Sequence, residues 1–425
     1  MAIVADVPKD GFRLSMLIYD TRFRSITIQV VVLILFLLGV AWLVNNTVEN
    51  LAAKDKDIAF GFLWNRAGYD IGQTLVPYTN DSSHIRAALV GLVNTLVLAF
   101  FGCIFATILG VFAGVLRLSN NWIVGRLMTV YVEIFRNIPL LLWIILVYVV
   151  LSETLPTTAD FRQSAQLIAD GLPPTVSMSF GGTVALTNQG LNVPAPFFAR
   201  GLGQISLGGM TISLNTLLVF AVVIGSFLAN RALRRNAAKV QEATGLRPVI
   251  WWKSLLILFA PIILVCIALG LSFDVPVFGR FNFAGGISIA HAFTAMLVAL
   301  SLYTGAFIAE AVRSGIMAIS RGQSEAAFAL GLQPGRTMKL IILPQALRII
   351  IPPLISQYLN LTKNTSLGIA VSYLDLRGTL GGITLNQTGR ELECMLLMML
   401  IYLIISLIIS SLMNLFNSAV KLKER

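Results

Sequence analysis

Long apolar runs separated by short basic stretches set the pattern of this chain. A helix that crosses a membrane needs about 20 mostly apolar residues. Seven runs reach that length: Ile26 to Val44, 88–116, about 137–155, 211–229, 251–271, 289–312 and 394–417. An eighth, at about 353–371, is less apolar. Pro353 suits the first turn of a helix there, because its missing N–H costs nothing at that position. Ser356, Asn360, Lys363 and Asn364 follow at helical spacing and so share one face. Such a face must turn towards protein or water, not lipid. The pattern predicts an all-α polytopic membrane protein with about eight transmembrane helices.

The basic residues test that count. With the N-terminus inside, the inner segments hold 21 of the 31 Lys and Arg, the outer segments hold 9, and Lys363 lies within a helix. The excess supports eight helices with both termini cytoplasmic. Dropping the eighth helix would move the basic C-terminus outside. The start of the chain does not read as a cleaved signal peptide. Asp6, Lys9 and Asp10 come first, and no small-residue cleavage site follows the apolar run. The stretch Phe12 to Phe23 reads as amphipathic and suited to the membrane surface.

Composition narrows the class. Hydrophobic residues make up 56% of the 425 and charged residues only 12%, about half the charged share of a soluble domain. Disorder, collagen-like repeats and disulfide frameworks are excluded. Cys103, Cys266 and Cys394 are odd in number and lie in apolar runs, where they read as small packing residues. His84 and His291 are too isolated for a metal or haem site. The net charge of +11 does not indicate nucleic acid, because the basic residues flank apolar segments and line no continuous face.

The strongest local motif is Glu325-Ala326-Ala327, then Gly331, then Ile341, Leu343 and Pro344. Gln323 to Ala329 are good helix formers, Gly331 permits a turn that a side chain resists, and Thr337 to Leu343 can form a second short helix ended by Pro344. Two short helices at an angle suit a groove on a soluble protein; an ordinary cytoplasmic loop also fits the pattern. The spacing resembles the EAA loop of importer permeases of the ABC superfamily. The resemblance implies that Glu325, Ala326, Ala327, Gly331, Leu343 and Pro344 dock on a cytoplasmic ABC ATPase dimer. Four further stretches, Ser301 to Glu310, Gln345 to Arg348, Leu361 to Leu367 and Phe135 to Leu141, resemble the polar amino-acid permeases of the histidine, glutamine and arginine type.

That resemblance implies a type I importer permease core in 88–417, with an inserted loop and two extra helices at about 156–288. Residues 1–87 would be an N-terminal cytoplasmic segment, first helix and periplasmic loop, and 418–425 a cytoplasmic tail. A chain of this length with that insertion resembles the Q-type or B-type permease subunit of general L-amino-acid, or glutamate/glutamine/aspartate/asparagine, transport systems. The implied partners are a second permease subunit, the ATPase dimer, a periplasmic amino-acid-binding protein, the amino acid itself and the lipid bilayer. The implied location is the bacterial inner membrane, crossed several times.

Polar groups inside the apolar runs are the candidates for the substrate pathway. Glu310 and Arg313 lie near the cytoplasmic end of the sixth helix. A central ion costs about 2.5–3.5 kcal/mol to insert, so each needs a partner; a salt bridge pinning the bundle and a contact with the substrate ammonium both fit Glu310. Asn360, Lys363 and Asn364 suit a substrate carboxylate and hydrogen bonds, or contacts between helices. Glu133 and Arg136, three apart, are expected to pair with each other. Gly102, Ala106, Gly110 and Gly114 form a small-residue stripe for close helix approach, within the chain or between subunits. The two long outer loops, 45–87 and 152–210, read as a structured cap, as connectors or as a docking surface. Asn94-Thr95-Leu96 and Asn215-Thr216-Leu217 echo each other without establishing a repeat.

The chain has no Gly-x-x-x-x-Gly-Lys-Ser/Thr loop; Gly331 to Thr337 is one residue short and lacks the lysine. No nucleophile triad or metal-ligand cluster is legible either. The expectation is a non-catalytic permease subunit without cofactor, with ATP bound by its partner. The alternative is an ion-gradient-driven secondary amino-acid transporter, a class that often shows inverted repeats.

Overall fold

A computed structural model describes residues 16–53, 58–162, 176–207, 210–246, 248–279 and 281–420. Residues 12–15, 173–174 and 421–425, which carry part of the expected surface segment, the Pro173-Pro174 pair and most of the basic tail, lie outside the described residues. The chain forms two compact units, Met1–Gly61 and Phe62–Arg425. The first is built on one helix, α1 (Thr21–Ala52), whose apolar side chains from Ile26 to Val44 are exposed throughout.

The second unit contains the other seven long apolar helices: α2 (His84–Leu116), α4 (Leu140–Thr154), α5 (Leu214–Thr244), α6 (Trp251–Ala268), α7 (His291–Met317), α9 (Leu343–Asn364) and α10 (Glu391–Val420). Two further helices, α3 (Trp122–Asn137) and α8 (Arg321–Ala329), are shorter, and helices of a single turn join the rest. All eight expected spans have a helical counterpart. Phe62, Leu63, Ala67 and Ile71 are buried against the N-terminal part of α2 and the 376–398 region, so residues 62–87 pack with the bundle.

Helix α3 was not visible as an apolar run because it is amphipathic, with one buried residue, Val132. Asn121 starts it: its side-chain oxygen accepts from the backbone N–H of Ile123 and Val124, groups with no partner inside the helix. It stops before Pro139, where Ile138 takes the extended conformation that proline imposes on its neighbour.

The seventh span differs from its expected form. It begins at Leu343 with Pro344 in the first turn, not at Pro353, and Pro352 and Pro353 lie inside it. A helix within a membrane tolerates such prolines when neighbours satisfy the freed carbonyls. Pro344 therefore opens a membrane helix and does not close a separate short one. One turn, Pro334–Thr337, and a π-helical stretch, Met338–Ile342, run straight into α9. Beyond Asn364 the backbone tightens to a 3-10 helix, Thr365–Val371.

Close packing of α2 on α7 makes the core. A Cβ added at Gly110 would lie 2.6 Å from Ile308, and one at Gly114 would lie 2.7 Å from the Ala309 carbonyl. Gly102 faces Leu361 of α9 at 3.1 Å. The small-residue stripe is thus internal packing: only hydrogen at these positions lets the backbones meet.

The end of the bundle opposite the 318–344 loop carries a cap of short antiparallel strands. They are β1 (Ala185–Thr187), β2 (Gly190–Val193), β3 (Ala195–Phe198), β4 (Gln204–Leu207), β5 (Met210–Ser213), β6 (Leu271–Asp274), β7 (Val277–Phe278), β8 (Phe283–Ala284) and β9 (Ile287–Ala290). One sheet has the order β1-β2-β9, with Gly190 opposite Ala290; the others are the pairs β3-β6, β4-β5 and β7-β8. Strand β5 runs into α5 and β9 into α7, so the cap fixes where both helices start. Of the readings open for the 152–210 loop, the structured cap is the one found.

Candidate functional site

The 318–344 loop is built by its glycine. Gly331 has φ +74°, and a Cβ there would meet nothing within 4 Å. Its requirement is conformational, not spatial. The left-handed turn lets the N–H of Leu332 donate to the Ala327 carbonyl at 3.0 Å and that of Gly331 to Phe328 at 2.9 Å. These bonds satisfy the last carbonyls of α8 and fix the angle at which the chain leaves it. Ala327 is buried at 1%, whereas Glu325, Ala326, Phe328 and Leu330 are exposed. Met338, Leu340 and Leu343 are exposed too. A helix carrying Arg321 and Glu325 with large exposed apolar neighbours is the kind of surface that meets a protein or a membrane.

The loop is held at both ends. Helix α8 follows α7 after a short turn, and Gln345 at the start of α9 donates its side-chain amide to Gln323 of α8 at 3.4 Å. Displacing the loop therefore displaces α7 and α9. At the far half of α9, Ser356, Asn360 and Lys363 are exposed on one strip, with Asn364 half-buried beside them. The shared polar face is present as the spacing indicated, and the side chains of Asn360, Lys363 and Asn364 form no hydrogen bond or ion pair among the described residues.

Glu310 is placed differently. Its Oε1 accepts from Arg313 at 2.7 Å, and its Oε2 accepts from Arg117 at 2.5 Å, with Arg136 at 3.8 Å. The Arg117 side chain is only 8% exposed, and the Arg136 guanidinium lies over the Phe307 ring at 5.4 Å. One carboxylate thus ties the end of α2, the end of α3 and α7 together, and both its oxygens are already occupied. Arg136 does not pair with Glu133 as its spacing suggested. Glu133 accepts from Asn137 one turn on, and Arg136 reaches across to Glu310 on α7, whose side chain is about one quarter exposed. Arg117 had counted only as a flanking charge; nothing local links it to a residue 193 positions away.

Asp375 is the other group that local reasoning passed over. It lies between the seventh and eighth spans and is fully buried. Its carboxylate accepts from the Gly378 N–H at 2.9 Å, the Tyr402 hydroxyl at 3.1 Å and the Thr365 hydroxyl at 3.4 Å. Burial pushes its pKa up to about 6, against the pull of these donors. Around it, Leu376 N–H donates to Thr95, Asn94 donates to the Leu374 carbonyl, and Thr384 meets His84 at 3.0 Å. The segment 372–388 is therefore stitched to the first turns of α2. Asn215 has a related task in the cap, where it bonds the backbone of Arg200 and Leu202.

The family is decided by comparison of the whole chain. Residues 106–422 match the family described as binding-protein-dependent transport system inner membrane component. This chain belongs to that family. It is a multi-pass inner membrane protein, and the match includes the 318–344 loop and the helices α5, α6, α7 and α9. Among relatives of this inner membrane component, the glutamate/glutamine/aspartate/asparagine transport system permease protein BztB of Rhodobacter capsulatus is 64% identical over 426 residues, covering 100% of both chains. The general L-amino acid transport system permease protein AapQ of Rhizobium johnstonii is 41% identical, covering 98% of this chain and 96% of that one. A solved amino acid ABC transporter with histidines aligns at TM-score 0.43 and 18% identity, over 79% of this chain and 95% of that one.

Proposed function

We propose that this chain is a permease subunit of an ATP-driven importer for acidic amino acids and their amides. The substrate class follows the printed names of its full-length relatives. One observation carries the mechanism: the exposed loop around Gly331 is continuous with α9, whose far half presents Asn360, Lys363 and Asn364. Docking and closure of a cytoplasmic ATPase dimer on Glu325, Ala326, Ala327 and Gly331 would push α9 along its axis and reorient that polar face. Leu343 and Pro344 are the start of the moving helix. The ATPase would bind the ATP, so this subunit needs no cofactor or catalytic centre.

The exposed strip on α9 also supports a second permease subunit. A lysine left against lipid costs about 2.5–3.5 kcal/mol on insertion scales; a facing subunit would cover it and complete a polar path. Lys363 is placed to attract a substrate carboxylate, and Asn360 and Asn364 to bond a carboxylate or carboxamide. Glu310, saturated by arginines, serves as the pin of the inner end. Both termini would be cytoplasmic, with the strand cap facing a periplasmic binding protein.

The test is uptake of labelled glutamate, glutamine, aspartate and asparagine into proteoliposomes holding the full importer. Gly331→Asp should lose at least about tenfold in uptake and its association with the ATPase, because an L-residue at φ +74° strains the turn and the carboxylate alters the docking surface. ATP-independent uptake that follows an ion gradient would sink the proposal.

A further inference from the structure

The pair α5 and α6 has a feature that transport does not use. Helix α5 does not end where its apolar stretch ends. It continues from Arg231 to Thr244, about 20 Å further at helical rise. Arg231, Arg234, Arg235 and Lys239 sit on that extension, and none forms an ion pair among the described residues. Two adjoining open grooves along the surface of α5, of about 470 and 720 Å³, lie between them. Phe227 and Asn230 line the first; Glu242 is the acid that lines the second.

Asn230 is the independent observation. The residue is only 6% exposed, and its side-chain oxygen accepts from the Ser254 hydroxyl of α6 at 2.7 Å. Its amide N–H₂ has no acceptor among the described residues and lies at the groove wall. That amide and three guanidiniums around one space match the oxygens of a phosphate. The Asn230–Ser254 bond also sets the level of the site. Trp251 and Trp252, within a turn of Ser254, are 66% and 46% exposed, as tryptophans are at a membrane interface. On the other side of Asn230, Phe220, Ile224 and Phe227 expose their side chains.

We infer that this site binds the phosphate headgroup of an anionic phospholipid, with the acyl chains along the exposed apolar face of α5. The pair is then a lipid anchor at the rim of the permease. Basic pockets at such an interface bind anionic headgroups by charge and hydrogen bonds together. Naming the leaflet as cytoplasmic rests on the orientation proposed above; the site itself does not.

The experiment is native mass spectrometry of the detergent-purified, full-length chain titrated with dioleoyl phosphatidylglycerol, dioleoyl phosphatidylcholine or sodium phosphate. Phosphatidylglycerol should be retained at least about tenfold better than phosphatidylcholine, and millimolar phosphate should not displace it. At about one basic residue's worth of attraction per arginine, the triple variant Arg231→Gln, Arg234→Gln, Arg235→Gln should bind on the order of 100-fold more weakly. Equal retention of the two lipids overturns the inference. So does a triple variant that keeps the preference. Displacement by free phosphate would make a soluble anion the ligand and overturn the anchor. The lipid comparison uses the unaltered protein, so it stands even if the variant does not fold, and it reads lipid and not uptake.

Discussion

Two helix pairs in this protein, the parallel α2 and α7 and the antiparallel α5 and α6, are made from similarly apolar sequence and do opposite things. In the core pair, the most apolar stretch of α7 is 61% buried, and α2 meets it backbone to backbone at Gly110 and Gly114. In the α5–α6 pair, the corresponding stretches are 11% and 6% buried. The buried residues of this pair are small or polar: Asn215, Ser226, Asn230 and Ala237 on α5 and Ser254 on α6. Between membrane helices there is no hydrophobic driving force, because lipid is as apolar as leucine. What separates a core helix from a lipid-facing one is therefore close packing and polar pairing, not apolar content.

That contrast is open to breaking. The largest effect is expected at the charge cluster of the core. Glu310→Gln leaves three guanidiniums around a neutral group and should cost about 3–5 kcal/mol. Arg235→Gln on α5, with no ion pair to lose, should change folding stability by less than about 0.5 kcal/mol. Thermal unfolding of the two variants in the same detergent compares them directly, and equal losses would remove the distinction.

Next comes the buried carboxyl that stitches the strand-cap end of the core. Asp375 titrates near 3.8 in the unfolded chain and is pushed up to about 6 in the fold. The native state thus holds a proton that the unfolded state has released. Its contribution is complete below pH 3.8 and is lost as the pH rises to about 6, amounting to roughly 3 kcal/mol. Asp375→Asn removes this slope. The melting temperature of the variant should gain on wild type between pH 4 and 6 and the difference should level off above. A flat difference across that range would show that the carboxyl does not titrate there in the native state.

Two glycine substitutions sharpen the comparison at smaller scale. Gly110→Ala places a methyl group 2.6 Å from Ile308 and 2.8 Å from the Gly305 carbonyl, and should cost about 1–3 kcal/mol by overpacking. Gly225→Ala, in the middle of α5 with nothing within 4 Å, should instead stabilise by about 0.5–1 kcal/mol, the ordinary helical preference of alanine over glycine. Opposite signs in melting temperature support the division into core and lipid-facing pairs. Destabilisation at both would mean that α5 packs as tightly as α2.

The eight spans were legible because bilayer thickness writes itself into sequence as run length. Helix α3 was not, since an amphipathic helix of that size leaves no continuous apolar run. The restart of the seventh span was misplaced for a related reason. Pro353 has the local signature of a first turn, and only the surrounding helices make an interior proline tolerable. In the loop, the turn at Gly331 was readable from one residue, because few side chains accept a positive φ. The end of the second short helix was not, because Pro344 is equally suited to starting the next one.

By itself, the sequence determined the membrane class, the number of spans, the excess of positive charge on one side and the local turn at Gly331. Each is a property of neighbours along the chain, set by run length, loop charge or backbone conformation. Only the tertiary structure decided that Glu310 is shared by Arg117, Arg136 and Arg313, that Asp375 is buried among hydroxyls, and that α5 and α6 stand apart from the core. Those outcomes depend on which distant segments meet. In a bilayer, where apolar faces do not distinguish between lipid and protein, a few glycines and buried polar groups make that choice.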